Sequence, residues 1–451
     1  MRIDRLEIKN FKKFSDYTLD LHPQFTLLIG DNGTGKTSIL DALAIAASIW
    51  LVKSPDTNLN YSRRNILRSE IRLESISTDT ITQFIERTPT QIKAIGTINE
   101  QHIQWLRQIK ENSSRTSNTE SKRAIDIISK LFKQVEAGEK IWLPIMAYYG
   151  AGRAWLPSNQ RAITYTSPSR RWDAFYDCFE ERISIARLHT WFQKEAIASV
   201  KRQGQMRAGY KVVKFAILRC IPNANDLWFD GDRGEIVIAI NGQPQPFSNL
   251  SAGQKMMVSL IADLAIKIVT QNAAFLPEEI DTENQALPQI LEQTSGLVMI
   301  DEIDVHLHPK WQRHVVDDLK NTFPAVQFVC STQSPFIIQS IEQGELRILD
   351  LGLEDTRFLE YANQSIEDIA EDIQSVEVPQ QSLKAHELAK ATEEYFDLLQ
   401  NSETVESEEL LEAEIDYRLA AAPFSNNPGL SAFLKLEAIA KKHERSNHET
   451  R

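Results

Sequence analysis

The first residues of the chain alternate. Ile3, Leu6 and Ile8 are apolar, charged residues stand between them, and Phe11 and Phe14 follow. Such alternation predicts a strand with one covered face. The run Phe25-Thr-Leu-Leu-Ile29 is short and almost wholly apolar, which predicts a strand buried on both faces. A glycine-rich turn follows at once, and then Ser38-Ile-Leu-Asp-Ala-Leu-Ala-Ile-Ala-Ala47, a stretch of good helix formers. Residues 51–140 are expected to be a mostly helical insertion, in which the polar stretch 111–122 (ENSSRTSNTESK) is a mobile surface loop.

Apolar residues 141–149 predict a strand ending at Gly150-Ala-Gly152. The pattern Glu235-Ile-Val-Ile-Ala-Ile240 before Asn241-Gly242 predicts a strand entering a hairpin turn. Residues 250–269 predict a helix, and the acidic stretch 277–289, with two prolines, an inserted loop. Gly296-Leu-Val-Met-Ile300 and Val326-Gln-Phe-Val-Cys330 predict buried strands flanking a helix. From Ser365 onward the pattern is helical and acidic, with a proline-containing break at 422–428. No internal repeat is visible.

Composition changes this picture in two places. The 451 residues carry a net charge of −12, yet residues 365–418 alone hold 16 acidic against three basic side chains. The acidity therefore belongs to the tail, and whole-chain charge does not argue against a nucleic-acid partner. The three cysteines, Cys178, Cys220 and Cys330, have no metal-ligand spacing and suit a reducing compartment. The opening MRIDRLEIKNF carries charges where a signal peptide needs an apolar core, and no apolar run has membrane-spanning length. A cytoplasmic protein is expected.

The strongest chemical signal is Gly30-Asp31-Asn32-Gly33-Thr34-Gly35-Lys36-Thr37, followed by Ser38. This is an unbroken G-x-x-x-x-G-K-[ST] between a strand and a helix. Its glycines let backbone N–H groups curl around phosphate oxygens, Lys36 can reach the β- and γ-phosphates, and the Thr37 hydroxyl can ligate Mg²⁺. The second signal is Leu297-Val-Met-Ile300 before Asp301-Glu302. A strand here would deliver Asp301 to the Mg²⁺ shell and Glu302 to the attacking water. The third is Leu250-Ser251-Ala252-Gly253-Gln254 opening a helix; alone it is an ordinary start with Ser251 as N-cap.

In this order the three motifs resemble the ABC-type ATPase superfamily, which includes the SMC and OLD-like ATPases. The resemblance implies an α/β P-loop NTPase head with a mixed sheet flanked by helices. It assigns the head to residues 1–50 and 141–350, including a basic segment 168–219, with an acidic helical partner-binding region at 351–451. It implies that ATP and Mg²⁺ are bound between paired heads, in a homodimer or higher assembly. Ser251, Gly253 and Gln254 of one copy would then cap the γ-phosphate held by another. Lys12 or Lys13 could touch phosphates.

Further motifs narrow the resemblance. Asp301-Glu-Ile-Asp304-Val-His306-Leu-His308-Pro309, Tyr148-Tyr-Gly-Ala-Gly-Arg153 and Ser425-Asn-Asn-Pro428-Gly-Leu-Ser-Ala-Phe433 are similar to the PtuA ATPases of Septu antiphage systems, also found with retrons. That family implies a separate HNH-type nuclease partner. His306 and His308 are explained by the family's turn better than by a metal site. Two departures stand out. Gln333 occupies the position of the switch histidine, and an amide neither carries charge nor relays a proton, so slow or absent hydrolysis is expected. No glutamine follows the strand ending near Tyr149, where a Q-loop belongs; Gln160 is the nearest downstream and Arg153 is closer.

Between Lys201 and Arg219 there are six basic residues and no acidic one. Lys201, Arg202, Arg207, Lys211 and Lys214 could meet double-stranded DNA phosphates, or could form a solvated face. In the tail, Leu388, Ala391, Tyr395, Leu398 and Leu399 lie at helical spacing, for packing on the head or for docking a partner. A long SMC coiled coil does not fit the length, a transporter subunit is disfavoured, and no Toprim-like acidic pattern follows Ser340. An ATP-binding sensor and scaffold of a nuclease-containing defence complex is expected. The alternative is a stand-alone, DNA-stimulated ATPase in repair or recombination.

Overall fold

The computed structural model describes residues 1–77, 82–154, 171–278, 286–349, 361, 364–374, 376, 378–400 and 407–424. They fall in two units, residues 1–364 and 365–451. The first unit opens with β1 (Arg2–Phe11), β2 (Phe14–Asp20) and β3 (Phe25–Ile29), followed by α1 (Lys36–Ala47). Next come β4 (Leu73–Ser77), β5 (Thr82–Glu86), β6 (Thr90–Ile98), β7 (Gln101–Ile109) and α2 (Lys122–Glu136). After β8 (Ile145–Tyr149), α3 (Ile185–Val200) and α4 (Ala208–Cys220) lead to the meander β9 (Ala224–Asp230), β10 (Glu235–Ile240) and β11 (Gln243–Pro246). Then α5 (Ala252–Gln271) and α6 (Gln289–Gln293) precede β12 (Gly296–Ile300). The unit finishes with α7 (Pro309–Gln312), α8 (Val315–Thr322), β13 (Val326–Ser331), α9 (Pro335–Ile338) and β14 (Leu346–Ile348).

The mixed architecture is realised as separate sheets. A five-stranded parallel sheet has the order β14-β3-β13-β12-β8, and a four-stranded antiparallel sheet the order β2-β1-β6-β7. Helix α1 packs on β12 and β13 of the first and on β6 and β7 of the second. That sandwich explains its composition, since Ile39, Leu40, Leu43 and Ile45 are buried with alanines between them. A helix covered on both sides needs no polar face. Each large aliphatic side chain so buried contributes about 2 kcal/mol. The sheets are tied directly by Gln327 of β13. Its amide accepts from Ile3 N–H at 2.9 Å and donates to Ile3 O at 2.7 Å and His22 O at 3.0 Å.

The expected helical insertion at 51–140 is mainly strand: β4 to β7 occupy it, and α2 is its one α-helix among the described residues. Along Thr90-Gln-Ile-Lys-Ala-Ile-Gly-Thr-Ile98 buried and half-buried positions alternate strictly, a period of two that the long polar side chains disguise. Pairing with β1, nearly ninety residues earlier, gives the segment its sheet. The strand expected at 141–149 starts only at Ile145, because Pro144 has no N–H to give a ladder. Residues 111–120 form a largely exposed loop pinned by the Gln108–Ser117 bridge.

The C-terminal end of α1 is held by the antiparallel sheet. Trp105 Nε1 donates to Ala46 O at 3.0 Å, and Arg107 Nη1 donates to Ile45 O at 2.7 Å. Helix ends leave carbonyls without intrahelical donors, and a cation there also meets the negative end of the helix dipole. Arg107 is fully buried and also donates to Arg64 O, Asn65 Oδ1 and Asn118 Oδ1. Burial, with Arg63 and Arg64 nearby, lowers its pKa to about 9.

The second unit is described on its own. It contains α10 (Ile366–Asp372) and a helical hairpin of α11 (Leu383–Gln400) and α12 (Ser407–Ala421). Tyr395, Phe396 and Leu399 form the hairpin's small core with Leu410, Ala413 and Tyr417. Leu388, Tyr395 and Leu399, offered by the sequence as a packing or docking stripe, are buried. On α12 it is Leu411, Ile415 and Leu419, one helical turn apart, that are exposed. The ending 425–434 lies outside the described residues. Among the described residues no helix is long and apolar enough to cross a membrane.

Replacing Arg107 by Met should lower stability by roughly 2–4 kcal/mol, because buried carbonyls lose their donors. Urea unfolding followed by circular dichroism measures this.

Candidate nucleotide site

Four strands of the parallel sheet end level with one another. Leu28 lies opposite Ser331, and Ile300 opposite both Cys330 and Tyr149. The loops after β3, β8, β12 and β13 therefore emerge side by side at the carboxyl edge, where open α/β sheets bind ligands. The glycine loop, Arg153, the acidic turn and Gln333 each leave one of those ends.

The loop after β3 carries the glycine motif. Gly33 and Gly35 have φ of 85° and 105°, which side-chain-bearing residues seldom adopt. At Gly35 a Cβ would also stand 2.6 Å from the Phe14 ring. Gly35 is the N-cap of α1 and supplies no side-chain cap, so the first N–H groups of the helix point into the loop. Lys36 is buried, and its Nζ donates to Gly30 O at 2.5 Å and Asp31 O at 3.0 Å, arched over the loop. Asp31, Asn32 and Gly33 are exposed, Thr34 is buried and Ser38 is half-buried.

Thr37 Oγ1 donates to Asp301 Oδ2 at 2.8 Å, joining motifs 264 residues apart. The other Asp301 oxygen, Oδ1, accepts from Ser331 Oγ at 2.5 Å. A hydroxyl beside a carboxylate, both next to a phosphate loop, is the oxygen donor set that Mg²⁺ takes together with substrate phosphates and water. Among the described residues no group of three or more His, Cys, Asp or Glu could hold a metal on protein ligands alone. His308 instead caps α7, its Nδ1 accepting from Lys310 N–H at 3.2 Å.

Glu302 follows Asp301 with φ of 48°. Its N–H donates to Ser331 Oγ at 2.8 Å, and its carboxyl pKa is raised by burial and by the neighbouring Asp301 and Asp304 carboxylates. A carboxylate so placed can accept a proton from water. At the end of β13, Gln333 Nε2 donates to Asn32 Oδ1 at 2.6 Å, so the switch-position amide is linked to the phosphate loop.

The two lysines after β1 separate in role. Lys13 Nζ donates to Gly33 O at 2.9 Å, on the rim of the loop. Lys12 is drawn instead into a cluster with Asp41 of α1, Glu70 and Arg64. Ser251 caps α5 in a capping box: its Oγ accepts from Gln254 N–H at 3.3 Å, and Gln254 Oε1 accepts from Ser251 N–H at 2.9 Å. Gly253 is buried, and a Cβ there would stand 2.3 Å from His306 O. The start of α5 thus lies against the acidic turn of its own chain.

One residue without a role assigned from sequence enters the site. Arg153, in the helical turn Ala151–Ala154 after β8, is 4% exposed and donates to Asp301 O and Glu302 O. Its sequence signals were its place at the end of the motif Tyr148–Arg153 and its nearness to the strand end; Gln160 lies outside the described residues. Beside it, Tyr149 Oη donates to Asp263 Oδ2 of α5 at 2.8 Å, and Lys267 pairs with Asp263 and Asp177. The basic stretch lies apart, on α4 and the turn before it. Arg207 pairs with Glu195 at 3.3 Å and Lys214 with Asp226, Lys211 is half-buried, and Lys201 and Arg202 are exposed.

An AAA-domain family model matches residues 5–204. A second, described as AAA domain, putative AbiEii toxin, Type IV TA system, matches residues 235–339. The chain is 23% identical over 402 residues to the Retron Vc95 probable ATPase of Vibrio cholerae, covering 78% of this chain and 74% of that one. It is 23% identical over 355 residues to the Septu protein PtuA of Bacillus mycoides, covering 77% of this chain. The chain carries AAA-domain sequence and is similar to the PtuA and retron ATPases. It spans only 40% of that PtuA's length. Among solved structures, the SMC head domain from Thermotoga maritima covers 77% of this ATPase at 15% identity and a TM-score of 0.38.

In this ATPase, Gly253→Ala should lower stability by about 1–3 kcal/mol, because the new methyl meets a backbone oxygen rather than a movable side chain. Thermal melting of the purified variant checks this.

Proposed function

We propose that the ATPase binds Mg·ATP on residues 30–38 and serves as the nucleotide-dependent sensor and scaffold of an antiphage defence complex. The observation that carries the nucleotide half is the Thr37–Asp301 hydrogen bond, which puts the glycine loop and the acidic turn on one metal-sized spot. Backbone N–H groups of the loop and Lys36 hold the phosphates. Thr37 and Asp301 would hold Mg²⁺, which would supply positive charge against the negative charge of the phosphate oxygens. Glu302 orients the attacking water and takes its proton, and Ser251, Gly253 and Gln254 of a second copy close over the γ-phosphate.

Gln333 makes this turnover slow. Its amide donates to Asn32, so it can read the phosphate loop, but it brings no positive charge to the transition state. Losing one such contact costs ~10²–10³ in rate. Bound ATP then acts as a long-lived ligand that keeps heads paired. The names of the PtuA and retron relatives support a place in antiphage defence. The partner is a separate HNH-type nuclease that docks on the acidic helices of the second unit. Leu411, Ile415 and Leu419 on α12 provide the apolar part of that surface, and Glu408, Glu409, Glu412 and Asp416 provide a rim suited to a basic, nucleic-acid-cutting protein. Lys201 and Arg202, exposed just after α3, are the cations that would meet double-stranded DNA.

Lys36→Ala should abolish ATP binding in calorimetry; a variant that binds as the parent does would overturn the site. Gln333→His should raise steady-state turnover by about 10²-fold in a phosphate-release assay. Leu411→Asp with Ile415→Asp should abolish co-purification with an HNH-type nuclease partner while leaving ATP binding intact.

A further inference from the structure

Glu302 holds a backbone conformation that residues bearing a Cβ seldom choose, with φ of 48°. Something must hold it there. Its N–H is taken by Ser331 Oγ at 2.8 Å, and the next N–H, of Ile303, donates to Ser331 O at 3.0 Å. The N–H of Asp301 donates to Tyr149 O at 2.8 Å, a continuation of the β8–β12 ladder. Glu302 O accepts from Val305 N–H at 3.0 Å, and one side chain reaches both carbonyls of the turn. Arg153 Nη1 donates to Asp301 O at 2.5 Å and Nη2 to Glu302 O at 2.9 Å. Nη1 also donates to Gly150 O at 3.0 Å, which fixes the guanidinium on its own loop.

We propose that Arg153 is the positioning residue of the acidic turn: its two-pronged hold on the Asp301 and Glu302 carbonyls sets the direction in which the Glu302 carboxyl leaves the backbone. The inference rests on the nucleotide-site reading above, in which Glu302 acts on water. A guanidinium suits the task because its planar fork offers two parallel donors at fixed spacing, whereas an ammonium is a point with no fork. Its burial is supported by the acids it serves. Desolvation lowers the Arg153 pKa to about 10, while Asp301, Asp304 and Glu302 pull the other way, so it is charged at neutral pH. Among the described residues its Nε finds no hydrogen-bond partner, and the contacts are made by the terminal nitrogens.

The consequence is a separation of binding from chemistry. Arg153 contacts main-chain oxygens of the turn, whereas the phosphates are held by the loop after β3. Shifting a reacting carboxylate by about an ångström can cost about 10²-fold in rate with little effect on ground-state binding.

The test compares the full-length protein with Arg153→Lys, Arg153→Gln, Glu302→Gln and the Glu302→Gln/Arg153→Gln double variant. ATP affinity is read with a fluorescent ATP analogue, and hydrolysis under single-turnover conditions with radiolabelled ATP and enzyme in excess. Arg153→Lys, which keeps the charge and guards against misfolding, should bind ATP within about threefold of the parent and hydrolyse it about 10²-fold more slowly. The double variant should be no slower than Glu302→Gln alone, since a residue acting through another adds nothing once that other is gone. Parental hydrolysis by Arg153→Lys would overturn the proposal. So would a double variant slowed by the full factor that Arg153→Gln imposes on the parent. A parent with no single-turnover hydrolysis would overturn it while leaving nucleotide binding standing. Parental ATP affinity in Lys36→Ala would sink the nucleotide site and the proposal together.

Discussion

The chemistry of this ATPase depends on β13 being wedged in parallel between β3 and β12. A slip of one residue would turn every side chain of the strand to the opposite face and force the close-packed layers on both sides to be rebuilt. Val326–Ser331 and Phe25–Ile29 are buried along their whole length, so the register is held by the core itself. With it comes the level edge from which Thr37, Asp301, Glu302 and Gln333 depart. The Thr37–Asp301 bond is possible only because two strands distant in sequence end at the same height.

Helix α1 transmits this order to the rest of the unit. It lies between two sheets with its first turn at the phosphate loop and its last carbonyls held by Trp105 and Arg107. In its middle, Asp41 collects Lys12 and Arg64 into a partly buried charged cluster with Glu70. The antiparallel sheet is thus the support on which the nucleotide helix is seated. Charges of both signs gather there because either alone would be costly to desolvate.

The phosphate loop could be found in the sequence because its chemistry is local. Closely spaced glycines let a backbone fold around an anion, and Gly30, Gly33 and Gly35 lie within one short loop. The acidic turn was legible for the same reason. Residues 51–140 were misread because β6 becomes a strand by pairing with β1, and nothing within the segment announces that partner. Arg153 was opaque in a different way: an arginine's value lies in its acceptors, and these are carbonyls 148 and 149 residues away. Lys12 and Lys13 are neighbours with the same chemistry, yet Lys12 has φ of 49° at the strand end and its side chain goes to Asp41 while that of Lys13 goes to Gly33. In the tail the helical spacing was correct, but spacing alone does not say which stripe a second helix will cover.

The contact of Gly253 with the His306 carbonyl leaves no slack between the start of α5 and the turn that carries Asp301 and Glu302. In an assembly where the start of α5 serves a neighbour, each copy's catalytic turn abuts the very helix it lends. Occupancy at one cleft would then be felt mechanically at the other, and two such clefts would fill and empty as a coupled set instead of as independent compartments.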